Sequence, residues 1–458
     1  MLVEGEEGRA MKWKWVSLLL AAGLLTAGCG MSALPDNLVK APRLAQTQQA
    51  VTEAVMQALP EGAKLTVPSR PLPMSAVNMK DLNGDGQDDA VAFYKKESSE
   101  FELGILVLEN EAGKWKQIAN VEALGRELDY ADFQDVTGDN LPELLVGLSG
   151  GAGLNSEISV YSLTGDHLKQ IWRQKYSEIA VGDLTGDDRP EIAVLLHDHD
   201  KLESKLKLYG YRDGEIKPVS ELDMDGGING FDQALIGSAS PTVKGLFVDM
   251  GVGAHSAFTS LVIMKDGKLT DVFGKTEYGG DKTFKPYMLH SEDVNGDGIV
   301  EIGIQSQPVG SEELPMVEVP WINSWYQWDG SDGLKLVEED YADYDVGFGF
   351  TIPAKWRDAY TVEKVQSGVR FSYIGLSPER PAELLSLKWY SREDWKKQEE
   401  TLKKKQVRYT VLGDNGEHVI TAQLPADAPG LSGRFLSEYK QMLLQDHEVQ
   451  NHFRMVEP

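Results

Sequence analysis

The segment DLNGDGQDD (Asp81–Asp89) carries a pattern of acidic and amide residues that the chain repeats three more times. Every copy reads Asp-x-(Asn/Thr)-Gly-Asp-x-x-x-(Asp/Glu). The other copies are DVTGDNLPE (Asp135–Glu143), DLTGDDRPE (Asp183–Glu191) and DVNGDGIVE (Asp293–Glu301). We call the copies loops 1 to 4 and number the positions within each from 1 to 9.

The residue types in these loops predict a site for a hard cation. Positions 1, 3, 5 and 9 offer side-chain oxygens, position 7 offers a backbone carbonyl, and Ca²⁺ takes six to eight such ligands at flexible geometry. The turn needs a positive φ angle at position 6, where Gly86, Asn140, Asp188 and Gly298 stand, all residue types that tolerate it. The predicted Ca²⁺ ligands are Asp81, Asn83, Asp85, Gln87, Asp89, Asp135, Thr137, Asp139, Leu141, Glu143, Asp183, Thr185, Asp187, Arg189, Glu191, Asp293, Asn295, Asp297, Ile299 and Glu301.

An EF-hand loop begins in the same way but requires a glutamate at position 12. Position 12 is apolar in all four copies: Ala92, Val146, Val194 and Ile304. The acid comes at position 9 instead and leads into apolar, partly β-branched runs, which predict strands. The sites are therefore expected where a loop enters a strand, not between two helices.

The spacing of the loops predicts a repeat architecture. Their first residues are 81, 135, 183 and 293, so the gaps are 54, 48 and 110 residues, and the last gap holds one further unit. That unit aligns Gly245-LFVDM with Glu143-LLVGL but has no acid between Ser238 and Gly245, so we expect no metal there. A period near 50 residues with several strands per unit is typical of a β-propeller. An alternating-strand sandwich is the alternative.

The units resemble FG-GAP/VCBS-type repeats, the calcium-loop blades of integrin α-subunits and many bacterial surface proteins. The resemblance covers residues 71–342 and rests on the acidic loop; the Phe-Gly and Gly-Ala-Pro signatures of the family are mostly missing. It implies a mainly β protein with a β-propeller-like domain of about five blades. The C-terminal residues 343–458 are predicted as a small α+β domain, and their opening GFGFTIPAKW resembles PsbP/Mog1-like domains.

The N-terminal sequence predicts export and lipidation. MKWKWVSLLLAAGLLTAGCG (11–30) has a positive start, an apolar run and small residues before Cys29, as in a lipoprotein signal peptide. We therefore expect a signal peptide over residues 1–29, with translation starting at Met11, and a lipid on Cys29. The apolar run is too short for a transmembrane anchor. Cys29 is also the only cysteine, so an internal disulfide is excluded, and the predicted location is the outer face of a bacterial cell membrane.

Residues 30–70 are predicted to form a tether with a short helix. Helical spacing begins at Leu44 and ends before Pro60 and Gly62. The sequence leaves open whether this helix packs on the repeat domain or stays a loose linker.

The charge and the missing catalytic motifs limit the possible functions. A net charge of −27 without a basic stripe argues against a nucleic-acid partner. The chain has no GxSxG, HExxH or P-loop motif. We therefore predict a non-enzymatic surface lipoprotein whose repeat domain binds a protein or glycan partner. The alternative is an enzyme, or enzyme accessory, acting on envelope or cell-wall glycans at the propeller face.

Three further features allow two interpretations each. The His197–Asp200 cluster is a transition-metal site or, more simply, a solvated hairpin loop. His255 follows a glycine-rich stretch that contacts a ligand or forms a plain turn. The aromatic residues of the segment 321–328 stack on sugar rings or fill the space between blades.

Overall fold

The structure is a computed structural model that describes residues 43–71, 74–96, 102–150, 156–165, 167–274, 282–375, 381–425 and 430–456. The predicted signal peptide, Met11, Cys29 and the first part of the tether lie outside these residues. The described chain is mainly β and contains six antiparallel sheets. Within these described residues, no helix is long and apolar enough to cross a membrane.

The first three sheets follow one another along the chain; sheets 2 and 3 are up-and-down arrangements, and in sheet 1 both β1 and β2 pair with β3. Sheet 1 contains β1 (Ala63–Leu65), β2 (Val77–Lys80), β3 (Asp89–Lys96), β4 (Glu102–Glu111) and β5 (Lys114–Leu124). Sheet 2 contains β6 (Glu127–Gln134), β7 (Glu143–Ser149), β8 (Ser156–Thr164) and β9 (His167–Tyr176). Sheet 3 contains β10 (Glu178–Gly182), β11 (Glu191–Asp198), β12 (Glu203–Arg212) and β13 (Glu215–Met224).

The next two sheets complete the repeat region. Sheet 4 contains β14 (Gly230–Ser240), β15 (Val243–Val252), β16 (Ser256–Lys265) and β17 (Lys268–Asp271). Sheet 5 contains β18 (Ile302–Ser306), β19 (Ile322–Trp328), β20 (Leu334–Asp343), β21 (Phe348–Thr351) and the distant C-terminal strand β27 (Phe453–Met455). Sheet 4 is the unit without an acidic loop, and only residues 241 and 242 join its first two strands.

The strand that follows the acidic loop in sheets 1, 2 and 3 is apolar on both faces, which explains why these sheets stack. Along β3, Val91 and Phe93 pack toward sheet 2, whereas Ala92 and Tyr94 pack on the opposite face. Successive side chains of a strand point to opposite faces, so such a strand needs a neighbour on each side. Hydrophobic clusters accordingly join sheet 1 to sheet 2, sheet 2 to sheet 3, sheet 3 to sheet 4, and sheet 4 to sheet 5.

Both ends of this stack are covered. Helix α1 (Arg43–Ala58) packs Val51 and Val55 against the outer face of sheet 1, so the tether helix docks on the repeat domain. The C-terminal unit covers sheet 5. In the part of the chain that the structure describes, no hydrophobic cluster joins sheet 1 to sheet 5, so these residues form five stacked sheets and no closed propeller is found among them.

The C-terminal unit is α+β and continues from sheet 5. Its own sheet 6 contains β22 (Tyr360–Val365), β23 (Gly368–Tyr373), β24 (Ala382–Ser391), β25 (Tyr409–Asp414) and β26 (His418–Gln423). The helices are α2 (Trp395–Lys404), α3 (Gly433–Met442) and α4 (Asp446–His452). The predicted boundary between 342 and 343 falls at the end of β20, and β21 pairs with both β20 and β27. The last strand of the chain is therefore part of the sheet that ends the repeat region.

Candidate metal centres

The four acidic loops occupy equivalent places in the fold. Loop 1 connects β2 to β3, loop 2 connects β6 to β7, and loop 3 connects β10 to β11, so that position 9 is the first residue of β3, β7 and β11. Loop 4 leads into β18 and is closed by a backbone bridge between Glu292 and Glu301. Each loop therefore enters a strand, as the sequence predicts, and position 9 is buried while positions 4 to 6 are exposed in every loop.

Backbone amides hold the carboxylates of each loop in place. In loop 4, Asp293 accepts hydrogen bonds from the N–H groups of Gly296 (2.8 Å) and Gly298 (2.9 Å). Asp297 accepts one from Ile299 (2.9 Å), and Glu301 accepts one from Val294 (2.9 Å). Equivalent bonds recur at positions 1, 5 and 9 of the other three loops. The local turn thus orients three carboxylates in every copy.

Two positions of each loop use the left-handed backbone region. Position 6 has the predicted positive φ, from 65° at Asp188 to 83° at Gly86 and Gly298. Position 4 also has a positive φ, with 78° at Gly84, which the sequence reasoning missed. The signal was present, since position 4 is glycine in all four copies, and glycine adopts this conformation without steric cost.

Loop 4 brings its acids closest together. Asp293, Asp297 and Glu301 each offer a carboxylate oxygen, and these atoms lie within 4.8 Å of one another. Among the described residues this is the only such group of three or more His, Cys, Asp or Glu side chains. The Gln327 amide donates to both Asp297 (2.8 Å) and Glu301 (2.7 Å), so a strand β19 residue braces the cluster from behind.

Burial makes the position 9 carboxylates costly to ionise without a cation. Asp89 is 1% exposed, and burial, followed by repulsion from Asp85 and Glu109, raises its pKa to about 6. Glu143 is also 1% exposed, and burial raises its pKa to about 7. The pKa values of the equivalent acids in loops 3 and 4 are raised for the same first cause. A bound divalent cation would favour the ionised form of these groups.

The other predicted ligands have defined contacts. Thr137 and Thr185 donate their hydroxyl hydrogens to the position 9 glutamates of their own loops, at 3.3 and 2.9 Å. The Asn83 amide donates to Glu109 (3.1 Å). At position 7, the backbone N–H of each residue donates to the position 5 carboxylate. These position 7 residues are Gln87, Leu141, Arg189 and Ile299.

Loops 1, 2 and 3 lie side by side in a row. A Cβ atom placed on Gly84 of loop 1 would lie 2.9 Å from Leu141 Cδ2 of loop 2. The same position in loop 2, Gly138, lies against the Arg189 side chain of loop 3 at 3.5 Å. In loop 3, Gly186 has open space around it, since sheet 4 carries no loop to cover it. Glycine at position 4 therefore serves both the turn and the approach of the next loop.

A second ionic cluster, which the sequence reasoning missed, lies away from the loops. Arg70 donates to Asp129 (3.0 Å) and to Glu178, and the hydroxyl of Tyr176 also donates to Asp129. Glu178 is buried, and burial raises its pKa while the Arg70 charge opposes that rise. Arg70 lies 59 and 108 residues from its two acidic partners. No local pattern in the sequence could reveal that pairing.

The structure favours the simpler interpretation of the His197–Asp200 cluster. The His197 Nδ1 atom lies 2.9 Å from Ser204 Oγ, a hydrogen bond within a β-hairpin, and the rings of His197 and His199 are 6.0 Å apart. Desolvation lowers the pKa of His197. Neither histidine belongs to the one cluster of potential metal ligands found among the described residues.

No protein-family model and no curated protein matches the chain. Among solved structures, it is similar to a protein from Lactobacillus plantarum at 12% identity and a TM-score of 0.30, over 66% of this chain and 82% of that one. It is similar to rhamnogalacturonan lyase YesW at 14% identity and 0.30, over 65% and 81%. A Bacillus licheniformis rhamnogalacturonan lyase gives 12% identity and 0.33, over 69% and 74%. At such TM-scores these similarities carry no argument about fold or activity.

Proposed function

We propose that this chain is a lipoprotein on the outer face of a bacterial cell membrane, and that its calcium-stabilised repeat domain binds a protein or glycan partner without catalysis. The five stacked sheets are the blades of a propeller-like domain, the four acidic loops hold Ca²⁺, and a lipid on Cys29 supplies the anchor. The proposal is carried by one observation: four loops in equivalent places each orient three carboxylates with the same backbone hydrogen bonds.

The ligand chemistry favours calcium over other divalent cations. The predicted ligands are all oxygens, which excludes the nitrogen and sulfur sets that zinc prefers. The loops place carboxylates on a turn with solvent on one side, which suits the variable coordination geometry of Ca²⁺, whereas Mg²⁺ demands near-ideal octahedral geometry and keeps several waters. Calcium at extracellular concentration would neutralise the buried acids, and this supports a role in stability.

One acidic pair outside the loops bears on the choice between binding and catalysis. Asp129 and Glu178 belong to different sheets, and Arg70 forms an ion pair with each of them. A general base must reach the proton that it abstracts from a substrate, and these two carboxylates already accept hydrogen bonds from Arg70 and, at Asp129, from Tyr176. This pair therefore gives no support to the glycan-acting enzyme considered above.

Calcium titration of the full chain tests the proposal. After chelator treatment and removal of the chelator, isothermal titration with CaCl₂ should give saturable binding, and Asp297→Asn should reduce the number of sites. Asp225→Asn is the matched control, because Asp225 forms the same aspartate-to-backbone turn with Gly227 (2.8 Å) outside any loop. A chain that binds no calcium at millimolar concentration would overturn the proposal.

A further inference from the structure

Three aromatic residues from separate parts of the chain form a row on the surface. The rings of His255 and Tyr287 have centroids 6.2 Å apart, and those of Tyr287 and Trp321 are 6.0 Å apart. His255 is exposed, while Tyr287 and Trp321 are half-buried. The sequence singled out His255 and the segment around Trp321 separately, and only the fold brings them together through Tyr287.

The row continues into a groove beside sheet 5. The groove has a volume of about 460 Å³, within the size range of small-molecule sites. Its walls include Tyr287, Trp321, Gln305, Asp343 and the 58%-exposed Tyr344. The same surface therefore carries aromatic rings together with amide and carboxylate groups.

Hydrogen bonds hold the Trp321 ring and the Tyr287 backbone in place. The indole N–H of Trp321 donates to the carbonyl of Met316 at 3.1 Å, which fixes the ring plane. The backbone N–H of Tyr287 donates to Gln305 Oε1 at 3.0 Å. By contrast, Trp325 and Trp328 of β19 are buried, and Trp328 fills the space between sheets 4 and 5, as the simpler interpretation expected. A fixed, accessible ring loses little entropy when a ligand stacks on it.

We infer that this groove, with the row His255–Tyr287–Trp321, binds an uncharged oligosaccharide. A sugar ring presents an apolar C–H face, which aromatic rings can cover, and hydroxyl groups at its edge, which amides and carboxylates can accept. The inference rests on the proposed function and specifies its ligand class.

The negative charge of the groove favours an uncharged sugar over an acidic one. Asp343 and Asp345 line the groove, and its one lining cation, Lys364, donates to the carbonyl of Val317 at 3.3 Å. The net charge of the chain is −27. An anionic polysaccharide would be repelled by this surface, whereas hydroxyl groups can donate to its carboxylates.

Titration of the full chain with defined saccharides tests the inference. The probes are the β-1,4-linked N-acetylglucosamine tetramer, the β-1,4-linked glucose hexamer and polygalacturonate as the polyanion, followed by calorimetry and tryptophan fluorescence. We expect one of the neutral probes to bind and polygalacturonate not to bind. Removing a single stacking ring should weaken binding by about tenfold. The variants are Trp321→Ala and, because it changes an exposed residue, His255→Ala.

Trp395→Ala is the matched control. Trp395 is also half-buried and lies between two aromatic rings, those of Tyr390 (5.6 Å) and Tyr409 (5.9 Å), but outside the groove. The inference is overturned if neither neutral probe binds at millimolar concentration, if only polygalacturonate binds, or if both groove variants bind as tightly as the parent. Concentration-dependent dimerisation abolished by His255→Ala would assign the surface to a second copy and also overturn it. The calcium titration does not depend on saccharide binding, so a failure of this inference can be told apart from a failure of the proposed function.

Discussion

Replacing Asp85 by asparagine tests whether this carboxylate is a metal ligand or only a structural group of the loop. Asp85 is position 5 of loop 1, is exposed, and accepts the Gln87 N–H at 2.7 Å through Oδ1. Asparagine keeps that acceptor and removes the charge. In chelator, the change relieves repulsion on Asp89, whose pKa is raised first by burial and then, among charges, by Asp85. We therefore expect Asp85→Asn to melt at the same or a slightly higher temperature than the parent without calcium.

With calcium present the sign reverses. A site held at about 100 times its Kd stabilises the native state by about 2.7 kcal/mol. For a repeat domain as large as residues 71–342, losing that contribution lowers the melting temperature by about 5–10 °C. Asp85→Asn is thus expected to leave or slightly raise the melting temperature in chelator and to lower it in calcium.

The assay is differential scanning calorimetry of the full chain, with metal-free protein verified by elemental analysis. Asp225→Asn should leave both melting temperatures unchanged within error, because its similar turn carries no predicted ion. If Asp85→Asn lowers the melting temperature equally with chelator and with calcium, the carboxylate is structural and the calcium argument is refuted. Coincident parent curves in the two conditions would refute it as well.

Three other predictions follow from the same structure and sequence. Burial raises the pKa of Asp89 to about 6 and of Glu143 to about 7, from 3.8 and 4.5. Without calcium, these two acids stabilise the folded protein fully at pH values below their unfolded-state pKa values, and this stabilisation is lost as the pH rises through their folded-state pKa values. The gain in melting temperature on adding calcium should therefore be larger at pH 8 than at pH 5. Trp356→Ala should destabilise the C-terminal unit by about 3–5 kcal/mol in denaturant titration, because this ring is fully buried and donates to Met442 (2.7 Å); a change below about 1 kcal/mol would contradict that packing. Cys29→Ser should move the protein from the membrane fraction to the medium or leave uncleaved precursor, and normal processing with unchanged membrane retention would contradict lipidation.

Local chemistry explains which features could be predicted from the sequence. The acidic loops are nine-residue patterns whose hydrogen bonds are formed by near neighbours, so their turn, the positive φ at position 6 and the strand that follows could all be derived from residue types. The helix before Pro60 was predictable for the same reason. The missed positive φ at position 4 was also local, and the repeated glycine there was the unused signal.

Long-range contacts explain the rest. The continuous apolar run of β3 does not specify which partner covers each face; the fold places sheet 2 on one side and helix α1 on the other. The C-terminal strand β27 pairs with β21 about a hundred residues earlier, which no periodicity could indicate.

The candidate sites divide in the same way. The sequence by itself determined the four oxygen-rich loops and their place before strands, because each loop is closed by bonds within nine residues. Only the tertiary structure decided that Arg70 pairs with Asp129 and Glu178, that loops 1 to 3 form a row, and that His255, Tyr287 and Trp321 share one surface. These contacts join residues from different sheets, and their distances depend on how the sheets stack, which a linear pattern does not encode.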